Sequence, residues 1–481
     1  MSHSPRYHTM IGSSVILFLA SLAIKPHLAL AEYQHSEPAL TDPTTFSPED
    51  IIERDVAVIG GGATGTYAAL RLKDDNKSMV VIEKKSTLGG HAETYVNPFT
   101  DYTFDIGVVV FANTTTVTDL FARFDIPLIS INPNGTSSEY VDFATGAPVK
   151  FEAPDPTAFG EALTAYESRL LQHPSLQHSL NLSYPVDSEL LLSFGEFVAR
   201  NHLDDLVPQT FASNQGYAPL LNISMLYIFG YLNQDQINSH RHGLLTTVHH
   251  NIQELYQKIT SYFGSDVLLN SSILAMDRSG SNTTRIAIDT PAGRKLIVAK
   301  KIISTVPPEV HLLDGYDLST SEKRLFSQFF ANGYYTGLLN NTGLNSSMVA
   351  IGPDQPYHVP KLPGLYSITI NQGLTQVYYG SPRVMSEEAV KSDILTTIQR
   401  IQEARGIETD VEPDWLIFSS HSPFNLMVSN DAIQAGFYSD LFALQGQRNT
   451  FYGGAAWRSQ DSSVLWKYVD EYLLPMVKAS L

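Results

Sequence analysis

The 481-residue chain contains no cysteine. This excludes disulfides, zinc–thiolate centres and thiol catalysis together. The fold must then hold by its core, and a chain this long can bury a large one. Charge is scarce as well: 17% of residues are ionic, below the usual quarter. The cationic share is the smaller, with 31 Lys and Arg against 49 Asp and Glu and a formal charge of -18. Nucleic acid and anionic membrane surfaces need basic patches, so neither is an expected partner. Metal-ligand spacing is also missing. His240-Arg241-His242 and His249-His250 have no further ligand at a recognisable distance in sequence, and adjacent histidines on a helix point to different sides. No metal site is expected.

Long hydrophobic runs are short of what a membrane needs. The apolar run 11–24 follows Arg6 and precedes Ala29-Leu30-Ala31, a small-x-small cleavage site before Glu32. A bilayer helix takes about 20 apolar residues, so the pattern reads as a signal peptide over 1–31 and not as a stable membrane span. Nine Asn-x-Ser/Thr sequons, at Asn76, Asn113, Asn134, Asn181, Asn222, Asn270, Asn282, Asn340 and Asn345, agree with the secretory pathway and a secreted or lumenal glycoprotein. Asn113 is expected to be shielded by the motif beside it.

What the chain does have is concentrated after residue 54. Val56 to Ile59 is apolar, Gly60, Gly62 and Gly65 stand at G-x-G-x-x-G spacing, and Ala68, Ala69, Leu70 and Leu72 open a helix-like pattern. Met79 to Ile82 is a second apolar run and ends in Glu83, 18 residues after Gly65. Strand, glycine turn, helix, strand and acid form a dinucleotide-binding unit. Gly60 permits the tight turn, Gly62 lets a pyrophosphate approach, and Gly65 lets helix and strand pack closely. The helix N-terminus turns free N–H groups toward the phosphates. Glu83 can accept hydrogen bonds from ribose hydroxyls and repels a 2′-phosphate, which argues against NADP.

The chain continues Glu83-Lys84-Lys-Ser-Thr-Leu-Gly89-Gly90-His91-Ala-Glu-Thr94, then Phe104-Asp105-Ile-Gly107-Val108-Val-Val-Phe111. This resembles the second motif of the flavin amine oxidase superfamily, and most closely the branch containing fungal β-cyclopiazonate dehydrogenase. The resemblance is dense over 54–125, returns over 248–310 and 448–475, and is thin elsewhere. It implies an α/β fold: a discontinuous Rossmann-type FAD-binding domain (54–136, 246–319, 446–481) with an α+β substrate domain inserted twice (137–245, 320–445), preceded by an arm at 32–53. It implies FAD as cofactor, with Gly60, Gly62, Ala63, Gly65, Glu83, Lys84, Gly89, Gly90, His91, Gly107 and Val108 in the first block. Ile273 would lie beside the adenine. Gly453 and Gly454 would form the turn before a helix whose N-terminus faces the flavin pyrimidine, where reduced flavin carries negative charge.

The implied activity is an FAD-dependent oxidoreductase taking a hydride from a C–H bond, next to nitrogen, of a bulky natural product in secondary metabolism. The oxidation could drive ring closure, and the electrons would pass to molecular oxygen or another acceptor. A redox-neutral isomerase or mutase and a non-catalytic secreted flavin-binding protein stand as alternatives. Relatives in the superfamily sandwich the substrate with aromatic side chains. Tyr438, in Gly436-Phe437-Tyr438, and Tyr452 are the candidates here, with Tyr379 a third; plain packing is the other reading for each. His91 stands where most of the superfamily has Arg or Lys. Histidine carries less charge at neutral pH but is a nucleophile, and without cysteine it is the available covalent tether to the flavin. The other reading is a hydrogen bond to the pyrophosphate.

Between these blocks the apolar periodicity predicts helices over 116–124, 159–171, 189–200, 217–231, 250–263 and 387–405. It predicts strands over 266–276 and hairpins over 139–151, 285–299 and 366–379.

Overall fold

The computed structural model describes residues 40–131, 138–213 and 219–481. The leader expected over 1–31, part of the arm after it and the sequon at Asn134 lie outside the described residues.

The apolar stretch before the first glycine turn is a nine-residue strand, Ile51–Ile59, so residues 51–53 join the sheet and not the arm. Val56, Ala57 and Val58 are fully buried, as a parallel strand covered on both faces should be. Its neighbours are Met79–Ile82 and Gly293–Ser304, both parallel, and Thr450–Tyr452 runs parallel to the end of the latter. Across this seven-stranded sheet the order is Ser272–Asp277, Thr284–Thr290, Gly293–Ser304, Ile51–Ile59, Met79–Ile82, Val267–Leu268, with Thr450–Tyr452 beside Gly293–Ser304. Residues 293–299 of the long strand pair with Thr284–Thr290 as a hairpin, and residues 302–304 pair with Thr450–Tyr452.

Register decides where a ligand can sit. Ile59 lies opposite both Ile82 and Ser304, and Ser304 opposite Tyr452. Four parallel strands therefore end at one level, and the residues that follow them, Gly60, Glu83, Thr305 and Gly453, emerge side by side. The crevice outside the carboxyl ends of parallel strands is where open α/β sheets bind ligands.

The second sheet also has seven strands, in the order Asp414–Ser420, Gly333–Asn340, Leu374–Ser381, Gly364–Asn371, Met348–Ala350, Glu139–Asp142, Ala147–Pro148. It is antiparallel except where Met348–Ala350 meets Glu139–Asp142. The helix Glu387–Arg405 buries Val390, Ile394, Ile398 and Ile401, spaced as one apolar stripe. Gly406 ends it in the left-handed conformation. Helices Pro156–Leu170, Phe194–Asn201 and Met225–Tyr231 pack into the same core. The class is the α/β expected: a Rossmann-type sheet joined to an α+β part.

Three elements differ from the periodicity reading. The helix expected over 189–200 is a short turn at Ser188–Leu191, extended backbone at Leu192 and Ser193, and then the helix Phe194–Asn201. Within the helix expected over 217–231, the described residues are helical only from Met225 to Tyr231, after a short turn at Leu220–Asn222. The backbone of Ile223 accepts from Phe194 and that of Met225 donates to Leu192, so pairing with 192–194 takes the bonds a longer helix would need. The strand expected over 266–276 is two strands. Val267–Leu268 lies at one edge of the first sheet and Ser272–Asp277 at the other. The chain crosses between them at Asn270, which has φ +49°, and Ser271 N donates to the Glu83 carbonyl at 2.9 Å.

Candidate functional site

The crossing point is built almost wholly from backbone. Gly60 has φ +96°, and a Cβ there would fall 2.6 Å from Thr305 Oγ1. A Cβ on Gly65 would fall 1.9 Å from the Gly60 carbonyl oxygen, so only glycine lets the helix Ala63–Asp74 lie this close to the turn. Gly62 caps that helix and no side chain covers its end, which leaves the first-turn N–H groups for an anion. Gly89 N donates to the Gly61 carbonyl at 2.8 Å. Gly90 has φ +62°, and a Cβ on it would come 2.9 Å from Gly62 Cα. The two glycine motifs thus form one surface without side chains.

Glu83 closes the cradle. It is 7% exposed, and its carboxylate accepts from Gly61 N at 2.6 Å and Lys85 N at 2.7 Å. Each carboxylate oxygen has a second lone pair for a further donor. Lys85 reaches back to the Gly90 carbonyl at 3.0 Å and to Glu93.

A cavity of about 830 Å³ opens from this cradle, toward the upper end of the range for cofactor and ligand sites. Of the residues assigned to a cofactor from sequence, Gly60, Gly62, Ala63, Glu83, Lys84, Gly89, Gly90, His91, Gly107, Val108, Ile273, Gly453 and Gly454 all line it. Gly65 does not; it lies behind the turn, packed on Gly60. Gly107 passes so near His91 that a Cβ would fall 1.8 Å from the His91 carbonyl oxygen. The glycine turn at 453–454 leads to the helix Ser462–Tyr468, but Asp461 caps it, accepting from Ser463 N at 2.8 Å and Val464 N at 3.4 Å. An acid at this position spends the N-terminal N–H groups that were expected to face the flavin.

Beyond the cradle the lining turns aromatic. The His91 ring lies 4.9 Å from that of His421 and 5.9 Å from that of Phe424. Tyr334 stacks on His421 at 5.5 Å and meets Phe424 at 4.9 Å. Tyr231, Tyr366, Tyr378 and Phe211 complete this end. Burial, with the charges of His421 and Lys85, pushes the His91 pKa well below the ordinary imidazole value. Burial pushes His421 down to about 4, against the pull of the Glu93 carboxylate. Both rings are therefore neutral at physiological pH. His421 Nε2 lies 3.3 Å from the Ile106 carbonyl, which can only accept, so hydrogen-bond geometry assigns the proton to Nε2. Nδ1 is buried with no partner among the described residues.

The three tyrosines singled out from sequence lie elsewhere. Tyr438 is fully buried in the helix Phe437–Phe442, its hydroxyl donating to that of Tyr227 at 3.1 Å. Tyr452 stacks on Trp457 and joins a buried ion cluster of Arg278 with Glu322 and Asp317. Tyr379 donates to Asp393 at 2.9 Å. Alternation along a strand explains the last: Tyr378 faces the cavity and its neighbour faces the helix side. For Tyr438 and Tyr452 the packing reading describes what these side chains do, and neither lines the cavity. Sequence reasoning missed His421, Tyr334, Tyr366 and Phe424, which have no local motif. The Glu387–Arg405 helix separates residues 334–378 from residues 421–424 along the chain.

Comparison with known proteins decides the family. The chain is 36% identical over 484 residues to the FAD-dependent oxidoreductase oblC of Cochliobolus heterostrophus, covering 98% of this chain and 99% of that protein. The chain belongs to the FAD-dependent oxidoreductases. It is 35% identical to pigF of Monascus ruber, another FAD-dependent oxidoreductase, over 95% of this chain and 99% of that one. It is 31% identical to beta-cyclopiazonate dehydrogenase of Aspergillus oryzae over 89% and 94%. A family described as an NAD(P)-binding Rossmann-like domain matches residues 58–124. Among solved structures, the fold is shared with a CLA-producing fatty acid isomerase from P. acnes (TM-score 0.70, 18% identity, 87% of this chain and 97% of that one). It is also shared with putrescine oxidase bound to putrescine (TM-score 0.61, 14% identity, 89% and 100%). The side-chain-free approach at Gly62 and Gly90, the uncapped helix end and the Glu83 carboxylate fit the diphosphate and ribose of an FAD. This oxidoreductase would hold the cofactor there.

Proposed function

We propose that this FAD-dependent oxidoreductase removes a hydride from a C–H bond, next to nitrogen, of a bulky natural product of secondary metabolism, with ring closure following from the oxidation. The observation that carries the reading is one cavity whose lining runs from the glycine cradle to the aromatic end. Bound flavin supplies the two-electron acceptor. The helix start at Gly62–Thr64 would bind the diphosphate, Glu83 would accept from the ribose, and Ile273 would serve the adenine. His91, Gly107, Val108, Gly453 and Gly454 border the flavin ring. His421, Phe424 and Tyr334, which line the aromatic end, would exclude water and orient the substrate. The name of the A. oryzae relative supports a cyclopiazonate-like indole as the first substrate to try. Anaerobic mixing should bleach the flavin band, and oxygen or a dye should restore it. Product formed with no acceptor consumed would instead favour an isomerase.

The neutral His91 imidazole, at the junction of cradle and aromatic end, would be a nucleophile suited to tether the flavin methyl group. The new C–N bond would replace a methyl C–H and the imidazole N–H, with the two protons lost to solvent and the two electrons passed to oxygen or the other acceptor. Acid precipitation tests this: yellow colour in the pellet and a flavin-bearing tryptic peptide spanning His91 support the tether. Release of all colour leaves His91 as a hydrogen-bond donor.

The secretory reading is part of the same proposal. Of the described sequon asparagines, all are exposed except Asn340, which is half-buried. Asn113 is among the exposed ones and is not shielded. Made in a eukaryotic host, the mature chain should begin near Glu32 and lose mass on glycosidase treatment. An intact Met1 terminus with no mass shift would count against it.

A further inference from the structure

Two phenol hydroxyls at the aromatic end have no partner among the described residues beyond one another. Tyr334 is 2% exposed and Tyr366 5%. Neither hydroxyl is in hydrogen-bond geometry with any described group, although the two face one another closely enough to interact. The neighbouring Tyr231 is satisfied, donating to the Ser213 carbonyl. A buried hydroxyl without an acceptor is destabilising, so a pair of them facing one cavity points to a ligand that supplies the acceptor.

The backbone aims one of them there. Leu365 pairs with Tyr379 and Ser367 with Tyr378, so Tyr366 is the extra residue of a β-bulge. Tyr366 and Ser367 consequently both line the cavity, which two successive residues of a regular strand would not do. Tyr334 links this point to the reaction centre, since its ring stacks on His421, which lies beside His91.

Charge decides what the ligand can be. The acids in the lining are Glu83, Asp314 and Asp461. Glu83 belongs to the cradle, Asp314 adjoins the Gly315 that packs on Ile273, and Asp461 caps a helix. Asp461 also bears on Tyr231 of the aromatic end, but no carboxylate bears on Tyr334 or Tyr366 themselves, so the two hydroxyls favour a neutral acceptor over an ammonium group. Burial raises both phenol pKa values well above the ordinary tyrosine range, and the hydroxyls remain donors at any physiological pH.

We propose that Tyr334 and Tyr366 are specificity-determining residues that grip a carbonyl or enol oxygen of a neutral substrate. This rests on reading the cavity as the oxidation site. The test uses the flavin-loaded enzyme and three probes of one shape: 1-tetralone, its hydrocarbon tetralin, and 1-aminotetralin. Binding is followed by calorimetry, so the readout does not depend on turnover, and flavin content is measured separately. Tetralone should bind about 3- to 10-fold more tightly than tetralin, as one or two net hydrogen bonds give. Tyr334→Phe and Tyr366→Phe should each reduce that preference and the double variant abolish it. Equal binding of tetralone and tetralin by the unmutated enzyme would overturn the inference, as would tightest binding of the amine or a preference that survives the double variant. If a variant does not fold, the three-probe ranking on the unmutated enzyme decides. Absence of a flavin band would count against the FAD reading and leave the calorimetric ranking to judge the two tyrosines.

Discussion

The cradle and the aromatic end of the one cavity are made of different material. The cradle is glycine backbone held at the level ends of four parallel strands, and its tolerances are set by covalent geometry. A Cβ has no room at Gly65 or Gly107. The aromatic end is side chain, drawn from a second sheet and from the 421–424 segment, and a ring can move or be replaced by one of similar volume. The comparison teaches that cofactor retention should be brittle to single substitutions while substrate selection should be adjustable.

The largest expected effect is therefore in the cradle. Gly65→Val places carbon on the Gly60 carbonyl and should cost on the order of 3 kcal/mol through overpacking, leaving protein depleted of flavin. The flavin-to-protein absorbance ratio and thermal unfolding check this. A yellow, stable Gly65→Val protein would break the contrast between the two regions.

Next comes pH, at the junction of the regions. His421 has its pKa depressed from 6.5 to about 4. Between those values the unfolded chain binds more protons than the folded one. The stability that His421 contributes is thus present above about pH 6.5 and lost as pH falls toward 4, an effect of a few kcal/mol. His91, also depressed, adds in the same direction. Asp105, raised by burial to about 6 against its bonds to Thr94 and Ile252, works oppositely: its contribution fades as pH rises from 3.8 to 6. The diagnostic is the difference between parent and His421→Gln in urea unfolding at pH 7 and pH 5. The variant should lose less stability on acidification, and an equal loss would remove His421 as the source.

Glu83→Ala removes the acceptor for two backbone N–H groups as well as the ribose contact. It should cost about 1–3 kcal/mol and lower flavin occupancy after extensive dialysis. Full occupancy would show that the ribose has another partner.

The smallest effect is expected at Tyr438→Phe, which deletes one buried hydroxyl bonded to Tyr227. Stability should fall by about 1 kcal/mol with turnover within about twofold, since the side chain lies off the cavity. A tenfold loss of turnover would return Tyr438 to the site. Measured beside Tyr334→Phe, it separates packing tyrosines from those that meet the ligand.

Legibility in the sequence follows the same division. A glycine turn, the helix behind it and the acid after the next strand are contiguous, so spacing alone reports the cradle. Gly89-Gly90 could be joined to it because its motif follows directly. The hairpin over 285–299 and the helix Glu387–Arg405 were legible from alternation and apolar spacing, which are local. Strand pairing decided the start of the helix at Met225, the crossing of residues 269–271 beneath Glu83, and the bulge that turns Tyr366 inward.

By itself the sequence determined that a dinucleotide cradle exists and which backbone forms it, because steric need for glycine is imposed within a few residues. Only the tertiary structure decided which tyrosines face the cavity. Tyr378 and Tyr379 are chemically the same and adjacent, and the sheet face each occupies depends on how Leu374–Ser381 registers with Gly333–Asn340 and Gly364–Asn371. That register is settled by burial of the whole face, which no local window of residues contains.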